Sequence, residues 1–107
     1  MTQNDFVVIL STSPCDEAER IAERLVDEHL AACVNITEVR SIFHWEGELC
    51  NEKESLMVIK TKRAMVETVI SRIKEIHPYE IPEIIVLPIT GGYDAYLSWI
   101  SNEVDGA

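Results

Sequence analysis

A strand followed by a helix decides the fold and occupies residues 6–30, FVVILSTSPCDEAERIAERLVDEHL. The apolar run 6–10 predicts a strand buried on both faces and therefore central in a sheet. Ser13 and Pro14 predict a helix start, because serine can cap the first turn and the missing N–H of proline costs nothing there. The apolar residues that follow share one helical face: Ala18, Ile21, Ala22, Leu25, Val26 and Leu30.

An alternating pattern begins at Cys33 and changes phase near Glu38. The alternating positions are first Val34 and Ile36 and then Val39, Ser41, Phe43 and Trp45. A one-residue shift moves every side chain to the other face of a strand, so the sequence predicts a bulge or a bend near Glu38. Residues 46–48 predict the turn of a long hairpin, and residues 54–60 predict its returning strand.

The second half repeats the same order of elements. A helix is predicted over residues 65–76, because Pro78 ends the apolar helical pattern. A strand follows over 84–89, in which Pro88 indicates an edge or a bulge. A short helix closes the chain. The order βαββαβ plus a C-terminal helix predicts an α+β, ferredoxin-like split βαβ architecture with an antiparallel sheet, in one domain spanning 1–107.

Composition excludes several classes of protein. The chain has 107 residues and a formal charge of −10, which would repel nucleic acid and anionic membranes, and no apolar run approaches a membrane span. The N-terminus has no signal-peptide pattern, so we expect a cytoplasmic location. The three cysteines form no CxxC pair, and Cys33 is interpreted as a small core side chain. Phosphate-binding, nucleophile-elbow and zinc-protease motifs are absent, so we expect no enzyme and no organic cofactor.

The segment 77–83, HPYEIPE, concentrates the candidate chemistry. Two prolines restrict the backbone around one imidazole and two carboxylates, which is typical of a rigid cation or ligand site. A structural interpretation competes with this one: His77 stands at the C-terminus of a predicted helix, where the dipole favours an imidazolium, and Pro78 ends that helix.

Several segments together resemble the CutA divalent-cation-tolerance proteins: LAACVNI at 30–36, FHWEG at 43–47, IKT at 59–61, HPYEIPE at 77–83, LPI at 87–89 and YLSWI at 96–100. The resemblance spans nearly the whole chain. It implies a ferredoxin-like monomer, an intertwined homotrimer, a cytoplasmic location, copper binding, and an architecture similar to PII-type signalling proteins. Some bacterial members place a Cys at the end of the first strand and a doubled His before PYE. This chain has Ser11 and Ile76 there, and His77 alone remains.

Chain topology suggests which residues could share a metal. Cys15, His77 and Glu80 are expected at the end of the sheet where the first strand finishes, and Cys33 is expected at the opposite end. Imidazole, thiol and carboxylate together suit Cu(II) or another divalent metal such as zinc. The predicted metal ligands are therefore His77, with Cys15 and Glu80.

Three functions compete at this point. The first is a non-enzymatic, trimeric protein that binds divalent cations weakly, with Phe43 and Trp45 on the hairpin covered by partner chains. The second is a PII-like module that senses a small molecule, with Lys60, Tyr79 and Tyr96 as contacts. The third is an enzyme like the acylphosphatases of the same fold, but residues 11–14 lack the arginine which that chemistry needs.

Overall fold

The computed structural model describes residues 5–104, which form one antiparallel sheet with helices packed against it. The elements are β1 (Phe6–Ser13), α1 (Ala18–Asp27), β2 (Cys33–Trp45), β3 (Glu48–Lys62), a 3-10 turn (Arg63–Met65), α2 (Val66–Ile76), β4 (Ile85–Pro88) and α3 (Asp94–Glu103). The strand order is β2-β3-β1-β4. This confirms the α+β, ferredoxin-like fold, with β1 central and Pro88 on an edge strand, where its missing donor is harmless. Within these residues, no helix is long and apolar enough to cross a bilayer.

One face of the sheet carries the main core. Residues paired across antiparallel strands point to the same side, so Val7 and Ile9 of β1 share a face with Thr61 and Ile59 of β3. Helices α1 and α2 close this face with fully buried side chains: Ile21, Leu25, Val69 and Ile73. Each such aliphatic side chain contributes about 1.5–3 kcal/mol by leaving water, so the amphipathic helices are held mainly by this contact.

The opposite side of the sheet, called here the open face, is covered only in part. Helix α3 packs there beside Val8 and Lys60. Beyond α3 the open face presents apolar side chains, of which Ile85 is 47% exposed and Leu87 is 44% exposed. An apolar sheet face that remains uncovered is unusual for a monomer.

The β2–β3 hairpin projects beyond the rest of the sheet. Strand β1 pairs with β3 only from Ser55 onward, so residues 39–45 and 48–54 continue without a third strand. Seven residues of strand span about 23 Å. The turn lies within the predicted segment 46–48 and has two residues, Glu46 and Gly47, whose positive φ angles of 53° and 82° are typical of type I′.

The structure corrects the prediction of a bulge near Glu38. The β2–β3 register is continuous from Cys33 to Trp45, with Glu38 opposite Ser55. The apolar pattern changes phase because Val34 and Ile36 face the helices, whereas Phe43 and Trp45, beyond the helices, point to the side of the open face. The change of phase reflects two different surroundings along β2, the helices and then the open face, and no residue is inserted into the strand.

The start of α1 also differs from the prediction. Strand β1 continues through Ser13, which pairs with Ser55, and α1 begins only at Ala18. The Ser13 hydroxyl donates to the carbonyl of Pro14 at 3.0 Å instead of capping the helix. Ser13, which the local sequence predicts to be a helix cap, therefore belongs to β1 because it pairs with β3.

Candidate functional site

His77 is held in one orientation at the C-terminus of α2. It is 8% exposed, and its backbone N–H donates to the carbonyl of Ile73 at 2.8 Å. Its Nε2–H donates to the carbonyl oxygen of Thr12, 2.7 Å away, and its Nδ1 accepts the backbone N–H of Tyr79 at 3.1 Å. Because a carbonyl only accepts and an amide N–H only donates, these partners fix the Nε2–H tautomer.

Tyr79 joins the HPYE segment to the hairpin. Its hydroxyl donates to a carboxylate oxygen of Glu54 at 2.6 Å, and its ring lies 4.8 Å from that of His77. Glu54 is only 5% exposed. Burial, and then the hydrogen bond to Glu54, raise the pKa of the Tyr79 phenol well above its usual range. Nearby, Thr12 Oγ1 donates to Glu83 at 3.5 Å.

The predicted metal ligands lie at the expected end of the sheet but do not converge. Cys15 is an exposed free thiol two residues beyond the end of β1, the strand whose Thr12 carbonyl binds His77. Glu80 is exposed. Across residues 5–104, no group of three or more His, Cys, Asp or Glu side chains is arranged to hold a metal. Within the part of the chain that the structure describes, Cys15, His77 and Glu80 therefore form no closed set of metal ligands.

The two positions at which this chain departs from some bacterial relatives are both structural. Ser11 is fully buried, and its Oγ has no hydrogen-bond partner. Ile76 packs against the core, and its carbonyl accepts Arg20 Nη2 at 2.8 Å.

The predicted ligand contacts divide between the two ends of the sheet. Lys60 and Tyr96 line one cavity of about 440 Å³ between α3 and the open face. Tyr79 does not reach it, because its hydroxyl is bound to Glu54 at the other end. The structure thus brings together two of the three residues.

Sequence reasoning missed the position of Cys33. It lies opposite Lys60 in the register and half-buried on the open face, with Sγ 4.0 Å from Lys60 Nζ. The interpretation of Cys33 as a core side chain is therefore wrong. The alternation of β2 contained the signal, since Val34 faces the core and its neighbour must face away.

The comparison with known families assigns the chain. The family model of the CutA1 divalent ion tolerance protein matches residues 6–103, so the chain belongs to this family. The "Divalent-cation tolerance protein CutA" of Pectobacterium atrosepticum is 41% identical over 99 residues, which are 91% of this chain and 90% of the relative. The "Protein CutA, chloroplastic" of Arabidopsis thaliana is 42% identical over 98 residues, which are 90% of this chain but only 54% of the relative.

Solved structures agree with this assignment. The periplasmic divalent cation tolerance protein CutA of Archaeoglobus fulgidus has a TM-score of 0.91 and 40% identity, covering 94% of this chain and 99% of that one. The PII-like protein CutA of Nostoc sp. PCC 7120, in its apo form, has a TM-score of 0.88 and 37% identity, covering 92% and 96%. The family name describes tolerance of divalent ions and names no reaction.

These relatives overturn the cytoplasmic location expected from the sequence. The Archaeoglobus protein is described as periplasmic and the Arabidopsis protein as chloroplastic. The expectation is wrong because it inferred a cellular location from the missing signal-peptide pattern alone. The same folded domain occurs in proteins assigned to different compartments, so its sequence does not specify one.

Proposed function

We propose that this chain is a non-enzymatic, homotrimeric divalent-cation tolerance protein that binds Cu(II) or a similar divalent metal weakly at the HPYE segment. The observation that carries the metal proposal is the fixed ring of His77. Metal-binding histidines commonly donate their other ring N–H to a backbone carbonyl, which orients the ligand nitrogen. His77 makes this contact with Thr12 at 2.7 Å.

The remaining geometry argues for weak binding. Nδ1 is the nitrogen with a lone pair, and a metal there has to displace the N–H of Tyr79, now 3.1 Å away. Cys15 and Glu80, both exposed, are the proposed additional ligands. Solvent completes the coordination, since residues 5–104 of one subunit supply no closed site.

A titration with Cu(II) tests this assignment. We expect electron paramagnetic resonance at moderate salt to show nitrogen coupling in the wild type that is lost in His77→Asn. His44→Asn is the matched control, because His44 lies exposed near the hairpin tip. Salt suppresses the diffuse attraction of a chain with charge −10. Equal spectra and affinities in wild type and His77→Asn would remove His77 from the site.

The trimer is supported by surfaces that a monomer leaves uncovered. Strands β2 and β4 are open edges. The hairpin exposes apolar side chains on both faces: Ile42, Phe43, Trp45 and Leu49. Pairing edges and covering such side chains with further copies removes an aggregation hazard.

Light scattering coupled to size exclusion tests the assembly. We expect three times the chain mass of 12.1 kDa at micromolar concentration. A monomer at that concentration would contradict the proposal.

A second candidate function is small-molecule sensing, favoured by the cavity that contains both Lys60 and Tyr96. The similarity to a PII-like protein supports it. Native mass spectrometry of metal-free protein with copper, zinc and nucleotides distinguishes the two candidates. Ligand adducts lost in Lys60→Met but kept in Lys74→Met, a control on the exposed side of α2, would favour sensing. Metal adducts unaffected by Lys60→Met would favour cation binding at the other end of the sheet.

A further inference from the structure

A groove lies between α1 and the edge strand β2, on the helix side of the sheet. Its volume is about 630 Å³. Strand β2 has a neighbouring strand on one side only, and α1 borders it without covering its outer part. The groove is therefore on the side of the sheet opposite to the open face, and it is separate from both the HPYE segment and the cavity beside α3.

The floor of the groove is apolar. Val34 and Ile36 of β2 face the helices, and Ala22 and Val26 of α1 continue the same surface. Two of these side chains are far from buried, since Val26 is 39% exposed and Ile36 is 42% exposed. Covering them with apolar side chains of a partner is favourable, because apolar area then leaves water.

One rim of the groove is a row of carboxylates on α1. Glu19, Glu23 and Asp27 follow at four-residue spacing, so they stand one helical turn apart on one side of the helix. Like charges at this spacing oppose helix formation. In the part of the chain that the structure describes, these three carboxylates take part in none of the ion pairs, and no Lys or Arg lines the groove.

The basic residues of α1 are engaged on its other side. Arg20, which also binds the end of α2, pairs with Glu17, and Arg24 lies 3.7 Å from Glu28. The Glu28 carboxylate also accepts two hydrogen bonds from Arg72 of α2. Helix α1 therefore has paired charges toward α2 and unpaired negative charges toward the groove.

We propose that this groove binds an amphipathic helix of another protein, with apolar side chains on one face and Lys or Arg along the border of that face. Its apolar side chains, three and four residues apart, cover the floor, and its basic side chains pair with the carboxylates of the rim. This interaction goes beyond the function proposed above, which concerns metal ions, small molecules and the assembly of identical chains.

Charge and length define the partner. The chain has a net charge of −10, so it repels an anionic membrane, and a second copy of the chain carries the same excess of negative charge. The row from Glu19 to Asp27 spans about 12 Å at about 1.5 Å per residue, which two to three turns of a partner helix match. A short basic amphipathic helix therefore complements both the floor and the rim.

A synthetic peptide tests this surface on the intact, assembled protein. The probe is a fluorescein-labelled peptide of about 15 residues, made only of Leu and Lys, with Leu at helical spacing and Lys on the flanks. The control peptide contains the same residues in an order that distributes Leu around the helix. We expect fluorescence anisotropy at moderate salt to show tighter binding of the probe, because salt weakens the diffuse attraction that both peptides share.

Matched variants separate the row of carboxylates from the overall charge. The groove variant replaces the three carboxylates of the rim with amides: E19Q, E23Q and D27N. It should weaken probe binding by at least about threefold, the lower bound for three exposed ion pairs. The control variant removes three exposed carboxylates outside the groove and should leave the affinity nearly unchanged: E46Q, E48Q and E67Q. Thermal melts check that both variants are folded.

Methyl NMR locates the bound peptide. The signals of Val26, Val34 and Ile36 should shift on titration with the probe, whereas those of Ile85 and Leu87 on the open face should not. Equal binding of the two peptides, equal losses in the two variants, or shifts confined to the open face would overturn the proposal. Absence of binding to the wild-type protein would also overturn it, because the groove would then be covered or too weak a site.

Discussion

Tyr79→Phe removes a single oxygen from the contact between the HPYE segment and the hairpin. The aromatic ring remains to pack beside His77, 4.8 Å between centroids. In the wild type the Tyr79 hydroxyl donates to Glu54 at 2.6 Å, and the variant leaves this carboxylate oxygen without that donor. Because Glu54 is only 5% exposed, water replaces this donor poorly.

The size of the effect follows from that burial. A hydrogen bond to a charged group contributes about 1.5–3 kcal/mol to stability. Leaving a buried acceptor without a donor costs a similar amount of folding free energy. We therefore expect Tyr79→Phe to lower the free energy of unfolding by about 2 kcal/mol at neutral pH. Tyr93→Phe is the matched control, since Tyr93 is 78% exposed.

The same variant should change the dependence of stability on alkaline pH. The pKa of Tyr79 is raised in the folded protein, mainly by burial and then by Glu54. Its contribution is therefore complete below the pKa of an unfolded tyrosine, about 10, and is lost as pH rises toward the folded value. The wild type should lose up to about 1.4 kcal/mol per pH unit more than Tyr79→Phe above pH ~10, so the gap between them narrows there.

Guanidinium unfolding followed by tryptophan fluorescence measures both effects. All proteins are compared at one chain concentration, because the proposed assembly would make stability depend on concentration. Equal midpoints for wild type and Tyr79→Phe at pH 7, or parallel pH profiles above pH ~10, would refute the reasoning.

Three further outcomes concern buried hydroxyl groups, an ion pair and the exposed Trp45 of the hairpin. Ser11→Ala should stabilise the fold by about 1 kcal/mol by removing an unpaired hydroxyl, whereas Ser13→Ala, which deletes a bonded one, should destabilise it by a similar amount in denaturant titrations. Arg72 donates two hydrogen bonds to the Glu28 carboxylate, of 2.9 and 2.7 Å, and these lower the pKa of Glu28. The free energy of unfolding should therefore fall as pH drops below the ordinary Glu pKa of 4.5. Arg72→Met should reduce this loss of stability at acidic pH, as measured by thermal melts at a series of pH values. Trp45→Ala should lower the melting temperature and make it more sensitive to chain concentration, and an unchanged melt would place Trp45 outside any interface.

The order of elements was predictable because it depends on local patterns. The apolar stripe of α1 and the turn at Glu46 and Gly47 are determined by residues that are close together in sequence. The length of β1 was not predictable in this way, because pairing between Ser13 and Ser55 sets it. The bulge prediction failed because two different neighbours, helices and then open surface, cover successive parts of β2.

In the candidate site, too, local features were predictable and contacts between distant residues were not. HPYE could be selected from composition and restricted backbone alone. The partners of His77 and Tyr79 could not, since Thr12 and Glu54 lie 65 and 25 residues away in sequence. Their contacts exist only after β1, the hairpin and α2 meet, and Cys33 next to Lys60 likewise depends on strand register.

The long hairpin also sets an order of events during folding. Strands β2 and β3 are joined by two residues, so they can pair within about 1–10 μs of being released. Strand β1 is synthesised first, but its partner begins only at Ser55. A nascent chain therefore carries the apolar run 6–10 unpaired until β3 has been made. During this interval the exposed apolar strand is open to wrong pairing with other chains.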